Sequence, residues 1–132
     1  MLRVAAISIL IGAASPGLVL AQGPAKWDET LDVRFFSPAT SQKQVSRAIK
    51  LSLADHEWRV EKETETSIYA TFAADQLTWL KIVVSFDTSK ASIAYVDGSG
   101  NNPAPEPRFR VWVANVAKEI PLNLRRIQIL FD

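Results

Sequence analysis

The chain has 132 residues, with 15 Lys and Arg against 14 Asp and Glu, no cysteine and one histidine. This length suits a single domain, and the balanced charge argues against a general nucleic-acid binder, which carries a basic excess. The lack of cysteine excludes a disulfide framework, a zinc–thiolate site and a lipidated N-terminal cysteine.

The first 21 residues have the pattern of a signal peptide. Arg3 supplies a positive charge, residues 4–14 are mostly apolar, and residues 19–21 (Val-Leu-Ala) form a cleavage box. The apolar run is too short to cross ~30 Å of hydrocarbon, so we expect no membrane insertion after cleavage. Cleavage there leaves a mature chain that begins at Gln22. We expect this chain to be soluble, either periplasmic or secreted.

Residues 22–40 are predicted to form an extended lead-in, whose first part, residues 22–30, is polar and mobile. Residues 31–36 alternate apolar and polar side chains only weakly, which is a faint strand signal. A single domain is predicted over residues 41–132. It begins with a capping-box pattern at Ser41, and apolar residues at helical spacing then predict a first helix over about 41–56.

Four short runs of alternating apolar and polar residues follow the first helix. They centre on residues 58–61, 67–72, 78–86 and 92–95. Such alternation predicts half-buried strands. The connections between them are short, as hairpins require and parallel crossovers forbid. The sequence therefore predicts a four-stranded antiparallel meander.

The stretch from Asp97 to Pro107 is rich in Pro, Gly and Asn and predicts a loop. Apolar residues at helical spacing then predict a second helix over about 108–119. Pro121 is expected to prevent that helix from continuing without a kink. The predicted fold is α+β, a two-layer sandwich in which a helix, the four-stranded meander and a second helix follow in order.

Three strings in this region resemble strings of a known family. Residues 112–120 read WVANVAKEI, residues 57–60 read EWRV and residues 92–97 read SIAYVD. They resemble the W-V-x-N-L-x-x-D-I, G-W-x-V and S-I-x-Y-x-D strings of a family of small, uncharacterised bacterial cell-envelope proteins, many of them lipoproteins. The resemblance covers about residues 41–120 and implies a similar fold and compartment. It implies no activity, and the family's lipidated cysteine is absent.

No combination of residues in the sequence forms a catalytic set. His56 is interpreted as a histidine at a helix C-terminus, and Glu61, Glu63 and Glu65 as a solvated acidic run. Asp97 with two nearby asparagines offers oxygen ligands of the kind that calcium uses, without the calcium-loop register. The serine-nucleophile and phosphate-loop motifs are also missing. We therefore expect no catalysis, no metal and no cofactor.

The aromatic residues divide between the two faces of the predicted sheet. Four of them fall on the core side: Trp58, Phe72, Phe86 and Trp112. Tyr69, Trp79 and Val83 fall on the opposite side, which an antiparallel sheet usually keeps polar. That second face is either covered by residues 31–36 or by the C-terminal tail, or it is a contact patch. The candidate binding residues are Tyr69, Trp79, Lys81, Val83, Asn101 and Asn102.

These observations favour a non-catalytic envelope protein that acts through contacts with another protein. The alternative is a carrier of a small apolar ligand, bound between the helices and the sheet among the aromatic residues. A carrier needs a cavity of roughly 300–1,000 Å³ at that place.

Overall fold

The computed structural model describes residues 25–131, so the predicted signal peptide lies outside the described residues. Within this range the chain is α+β. Its elements in chain order are β1 (Thr30–Arg34), α1 (Gln42–Asp55), β2 (Arg59–Glu63), β3 (Ser67–Ala73), β4 (Trp79–Phe86), β5 (Lys90–Gly98) and α2 (Pro107–Phe131).

The sheet is antiparallel throughout, with strand order β1-β5-β4-β3-β2. The predicted meander is confirmed as β2 to β5. The prediction of four strands was wrong, because part of the lead-in forms a fifth strand. β1 pairs with β5 from Thr30 opposite Ala94 to Arg34 opposite Lys90. This pairing gives hydrogen-bond partners to the backbone N–H and C=O groups along one edge of β5. It also places Val33 in the core.

The first helix forms where its cap and its apolar spacing predict it. The hydroxyl of Ser41 accepts a hydrogen bond from the backbone N–H of Gln44, and the Gln44 side chain accepts one from the N–H of Thr40. This reciprocal arrangement satisfies N–H groups that have no partner inside a helix. The helix ends at His56, and Glu57 takes a positive φ of 65° to turn the chain into β2.

The second helix is longer than predicted, because it continues through Pro121 to Phe131. A proline inside a helix removes one backbone hydrogen bond and usually bends or ends the helix. Here the apolar stripe continues beyond the proline, and both Leu124 and Ile127 are buried. Burial of these two side chains stabilises the last turns of α2. The apolar spacing of residues 108–119 does not indicate this contribution.

A buried hydrogen-bond network connects the two helices. The hydroxyl of Ser52 donates to the carbonyl of Ala48 at 2.8 Å and accepts from the side-chain amide of Asn123 at 2.9 Å. Arg126 in turn donates to the amide oxygen of Asn123. Because buried polar groups need hydrogen-bond partners, this network sets the register between α1 and α2.

Both helices pack on one face of the sheet and form a single core with it. Trp58 and Phe86 belong to this core, and Phe72 and Trp112 pack against it while partly exposed. The predicted core placement of these four aromatics is confirmed. No helix in residues 25–131 is long and apolar enough to cross a membrane.

Trp27 corrects the prediction that residues 22–30 are mobile, as far as that range is described. Its side chain is only 4% exposed, and its ring lies 6.1 Å from that of Tyr95 and 6.0 Å from that of Phe109. Gly98 makes room for it, since a Cβ at that position would lie 2.8 Å from the indole. Trp27 therefore anchors the described part of this segment on the core.

Candidate binding surface

The face of the sheet opposite the helices is called the outer face here. The register places Tyr69 of β3 directly opposite Val83 of β4, and Val83 directly opposite Ala94 of β5. Trp79 and Lys81 lie on the same side of β4 as Val83, because side chains alternate along a strand. The predicted grouping of these side chains on the face away from the helices is confirmed.

Side chains at the middle of the outer face are buried, whereas several at its periphery are partly exposed to solvent. Val83 has no exposed surface, and Ala94 is only 6% exposed. Val83 therefore offers no direct contact to a partner, contrary to its place among the candidate binding residues. Tyr69, Trp79 and Val96 are partly exposed and do not belong to the core that the helices form. Among the described residues, these three are partly exposed apolar groups on this face that a partner can reach.

The described parts of the two segments proposed as a cover lie elsewhere in the fold. Residues 30–34 form β1 at the edge of the sheet. The C-terminal tail is part of α2, and Ile127 in it is buried in the helix-side core.

A shallow depression of about 270 Å³ lies on the outer face between β2, β3, β4 and β5. Tyr69 and Val96 supply its apolar walls, and Glu61, Lys62 and Lys81 stand around it. Two β-bulges shape it, one in β2 beside Glu61 and one where β5 passes Lys81. Bulges change the direction of side chains next to a site. Here they bring charged side chains next to the apolar side chains of Tyr69 and Val96.

The charges around the depression are mixed but mainly basic. The Glu61 carboxylate lies 4.0 Å from the Lys81 ammonium and 3.9 Å from the Arg59 guanidinium. The Lys62 ammonium stands 5.4 Å from the centre of the Tyr69 ring, where a cation is attracted to the aromatic face. Burial raises the pKa of the Tyr69 hydroxyl, which keeps it a neutral hydrogen-bonding group. The two ion pairs of Glu61 are long and exposed, so they contribute little to stability.

The loop with Asn101 and Asn102 adjoins one end of this surface without joining the depression. Ser99 exchanges hydrogen bonds with the backbone of Trp79, which places the loop beside the Trp79 end of β4. Asn101 and Asn102 are exposed, and the Asn102 carbonyl accepts the indole N–H of Trp27 at 3.1 Å. The structure therefore places Tyr69 and Lys81 at the depression and Trp79 on the same face outside its lining, and leaves the two asparagines in a separate neighbouring loop.

Lys26 also holds this loop in place. Its ammonium donates to the carbonyls of Gly98 and Gly100 and lies 3.9 Å from the Asp97 carboxylate. The Asp97 carboxylate also accepts the N–H of Gly98. Asp97 is thus engaged with protein groups, and residues 25–131 contain no cluster of three or more His, Cys, Asp or Glu side chains suited to a metal ion.

His56 and the acidic run do not combine into a reactive centre in the described chain. His56 lines a small cavity of about 60 Å³ with Trp58, Phe72, Trp112 and Asn115, none of which is a nucleophile or a carboxylate. The acidic side chains separate: Glu63 pairs with Lys50 of α1, while Glu61 faces Lys81 on the outer face. Paired-carboxylate chemistry requires the two groups to share one site.

Lys62 and Val96 belong to the depression and were not among the candidate residues. Their positions depend on the two bulges, each of which shifts the alternation by one residue. A simple two-residue period does not reveal such a shift. Tyr95, next to Val96, points the other way into the core, where burial raises its pKa to about 12.

The chain matches no protein-family model and no curated protein sequence.

Proposed function

We propose that this protein is a non-catalytic envelope protein that binds another protein through the outer face of its sheet. One observation carries the proposal: Tyr69 and Val96 line a depression of about 270 Å³ on the face opposite α1 and α2, and Trp79 is partly exposed on the same face. Protein contacts concentrate their energy in a few aromatic side chains surrounded by polar groups, and this surface has that composition.

The chemistry of the depression suggests what a partner presents. Tyr69 and Val96 suit an apolar side chain, and Lys62 and Lys81 outnumber Glu61 around it. A carboxylate next to the partner's apolar side chain would be favoured there, because charged groups across an interface select complementary partners. We therefore propose a partner segment with an apolar anchor flanked by an acidic residue.

The signal-peptide pattern supports an envelope partner, since it predicts export of the mature chain. The resemblance to small cell-envelope proteins points to the same compartment. Both supports come from the sequence, and determination of the N-terminus of the protein exported by cells is their direct test. A start at Gln22 agrees with the proposal, and a start at Met1 contradicts it.

The alternative, a carrier of a small apolar ligand, has weaker support. A cavity lined by Trp58, Phe72 and Trp112 between α2 and the sheet has about 60 Å³, well below the roughly 300 Å³ at which ligand sites begin. The larger depression is open and lies on the outer face, where a small apolar ligand would stay half in water.

Replacing Trp79 by alanine is expected to separate binding from stability. Trp79 is partly exposed and lies outside the core, so the free energy of unfolding should change by less than about 1 kcal/mol. Capture of the partner by cross-linking in the native envelope should be lost, because the aromatic anchor is gone. Urea unfolding and mass spectrometry of the captured material measure the two effects.

Leu77→Ala provides the matched control for this experiment. Leu77 is a large apolar residue, 84% exposed in the turn just before β4, and its removal should change neither stability nor capture. If Trp79→Ala costs 3 kcal/mol or more, on the scale of core truncations of ~3–5 kcal/mol, Trp79 supports the fold and is not a contact residue. Undiminished capture by the variant also contradicts the proposal.

A further inference from the structure

One end of the helix layer carries large exposed apolar side chains together with arginine. Ile129 and Leu130 in the last turns of α2 are 73% and 71% exposed, and Phe36 in the segment after β1 is 60% exposed. The Arg125 guanidinium lies 5.3 Å from the centre of the Phe36 ring, which connects the two segments. We call the group Phe36, Arg125, Arg126, Ile129 and Leu130 the basic tip.

The positive charge at this end is not neutralised by the described part of the chain. Arg125 forms no ion pair there, and Arg126 donates only to the Asn123 amide oxygen.

The sequence around Arg125 and Arg126 is poor in acidic residues. The chain has no acidic residue from Ile120 to Phe131, and Asp132 lies outside the described residues. The basic tip therefore combines two arginines that pair with no described carboxylate and apolar side chains that no described segment covers.

We propose that the basic tip docks on the surface of an anionic phospholipid membrane, without crossing it. Phe, Ile and Leu side chains enter the boundary between headgroups and acyl chains, while adjacent arginines bind lipid phosphates. This role is independent of the outer face. A lipid surface is favoured over a second protein because exposed apolar side chains stand next to arginines at one helix end, the combination by which amphipathic helices bind anionic lipid.

The test is co-sedimentation of the processed protein with vesicles. The protein is expected to bind vesicles that contain phosphatidylglycerol, to bind pure phosphatidylcholine vesicles much more weakly, and to be released by salt. Arg125→Gln should lower the partition coefficient about fivefold, since each cation near an anionic leaflet contributes ~1 kcal/mol. Replacing Ile129 and Leu130 together by serine should lower it by at least about tenfold.

Val111→Ser is the control, because Val111 is an exposed apolar residue, 56% accessible, near the other end of the same helix. Its binding to vesicles should equal that of the unaltered protein. Circular dichroism confirms that each variant is folded. The proposal is overturned if anionic vesicles bind no protein or no more than neutral ones, or if the serine variant binds undiminished. Retention by a protein fraction of the envelope but not by lipid extract would assign the tip to a protein partner instead.

Discussion

Trp27→Ala is expected to lower the free energy of unfolding by about 3–5 kcal/mol, the range for removal of a buried tryptophan. The side chain is 4% exposed and packs between Tyr95 and Phe109, and its indole N–H is bonded to the Asn102 carbonyl. Since a domain has only ~5–15 kcal/mol in total, this single change should remove a large share of its stability.

Urea unfolding followed by far-ultraviolet circular dichroism measures the Trp27 effect without relying on tryptophan fluorescence. The loop from Gly98 to Asn102 should also become more susceptible to proteolysis, because Trp27 and Lys26 hold it. Leu77→Ala serves again as the control, since that side chain is 84% exposed. A loss below about 1 kcal/mol, small for a core truncation, would mean that the segment before β1 does not dock on the core.

Trp112→Ala is expected to cost about 3 kcal/mol, near the lower end of the same range. Trp112 is partly exposed, but its ring lies 4.7 Å from that of Phe72 and 5.3 Å from that of Phe109. It also lines the small cavity beside His56, so its removal enlarges a void that already exists and breaks two ring contacts.

The companion variants for Trp112 are Trp112→Phe and Val111→Ala. Phenylalanine keeps an aromatic ring next to Phe72 and should recover part of the lost stability. Val111 is 56% exposed on the same helix, so its truncation should lie within about 0.5 kcal/mol of the unaltered protein. Equal unfolding midpoints for Trp112→Ala and Val111→Ala would show that Trp112 does not contribute to the core.

Local patterns predicted the elements whose signals are contained in neighbouring residues. The first helix has both a cap at Ser41 and an apolar stripe, and the four meander strands have alternation plus short connections. β1 has alternation as well, but only Val33 in it is buried. Its partner, β5, lies about sixty residues further along the chain, and no local pattern specifies such a distant pairing. The extension of α2 past Pro121 likewise depends on contacts with α1 and the core.

The candidate surface was predictable in part for the same reason. A two-residue period places Tyr69, Trp79, Lys81 and Val83 on one face, which the register confirms. The two-residue period does not determine whether a side chain is accessible to solvent. Val83 lies at the middle of the face and is buried. The bulges that bring Lys62 and Val96 to the depression insert single residues into strands, and such insertions are invisible to an alternation argument.

The central claim is that the outer face contacts a protein partner, and site-specific photo-cross-linking in living cells tests it most directly. A photoreactive amino acid replaces Lys81 on the outer face in one variant and Lys118 on α2 in another, two exposed lysines in different layers. The account predicts a discrete protein adduct from position 81 and none from position 118. No adduct from position 81, or the same adducts from both positions, would contradict it.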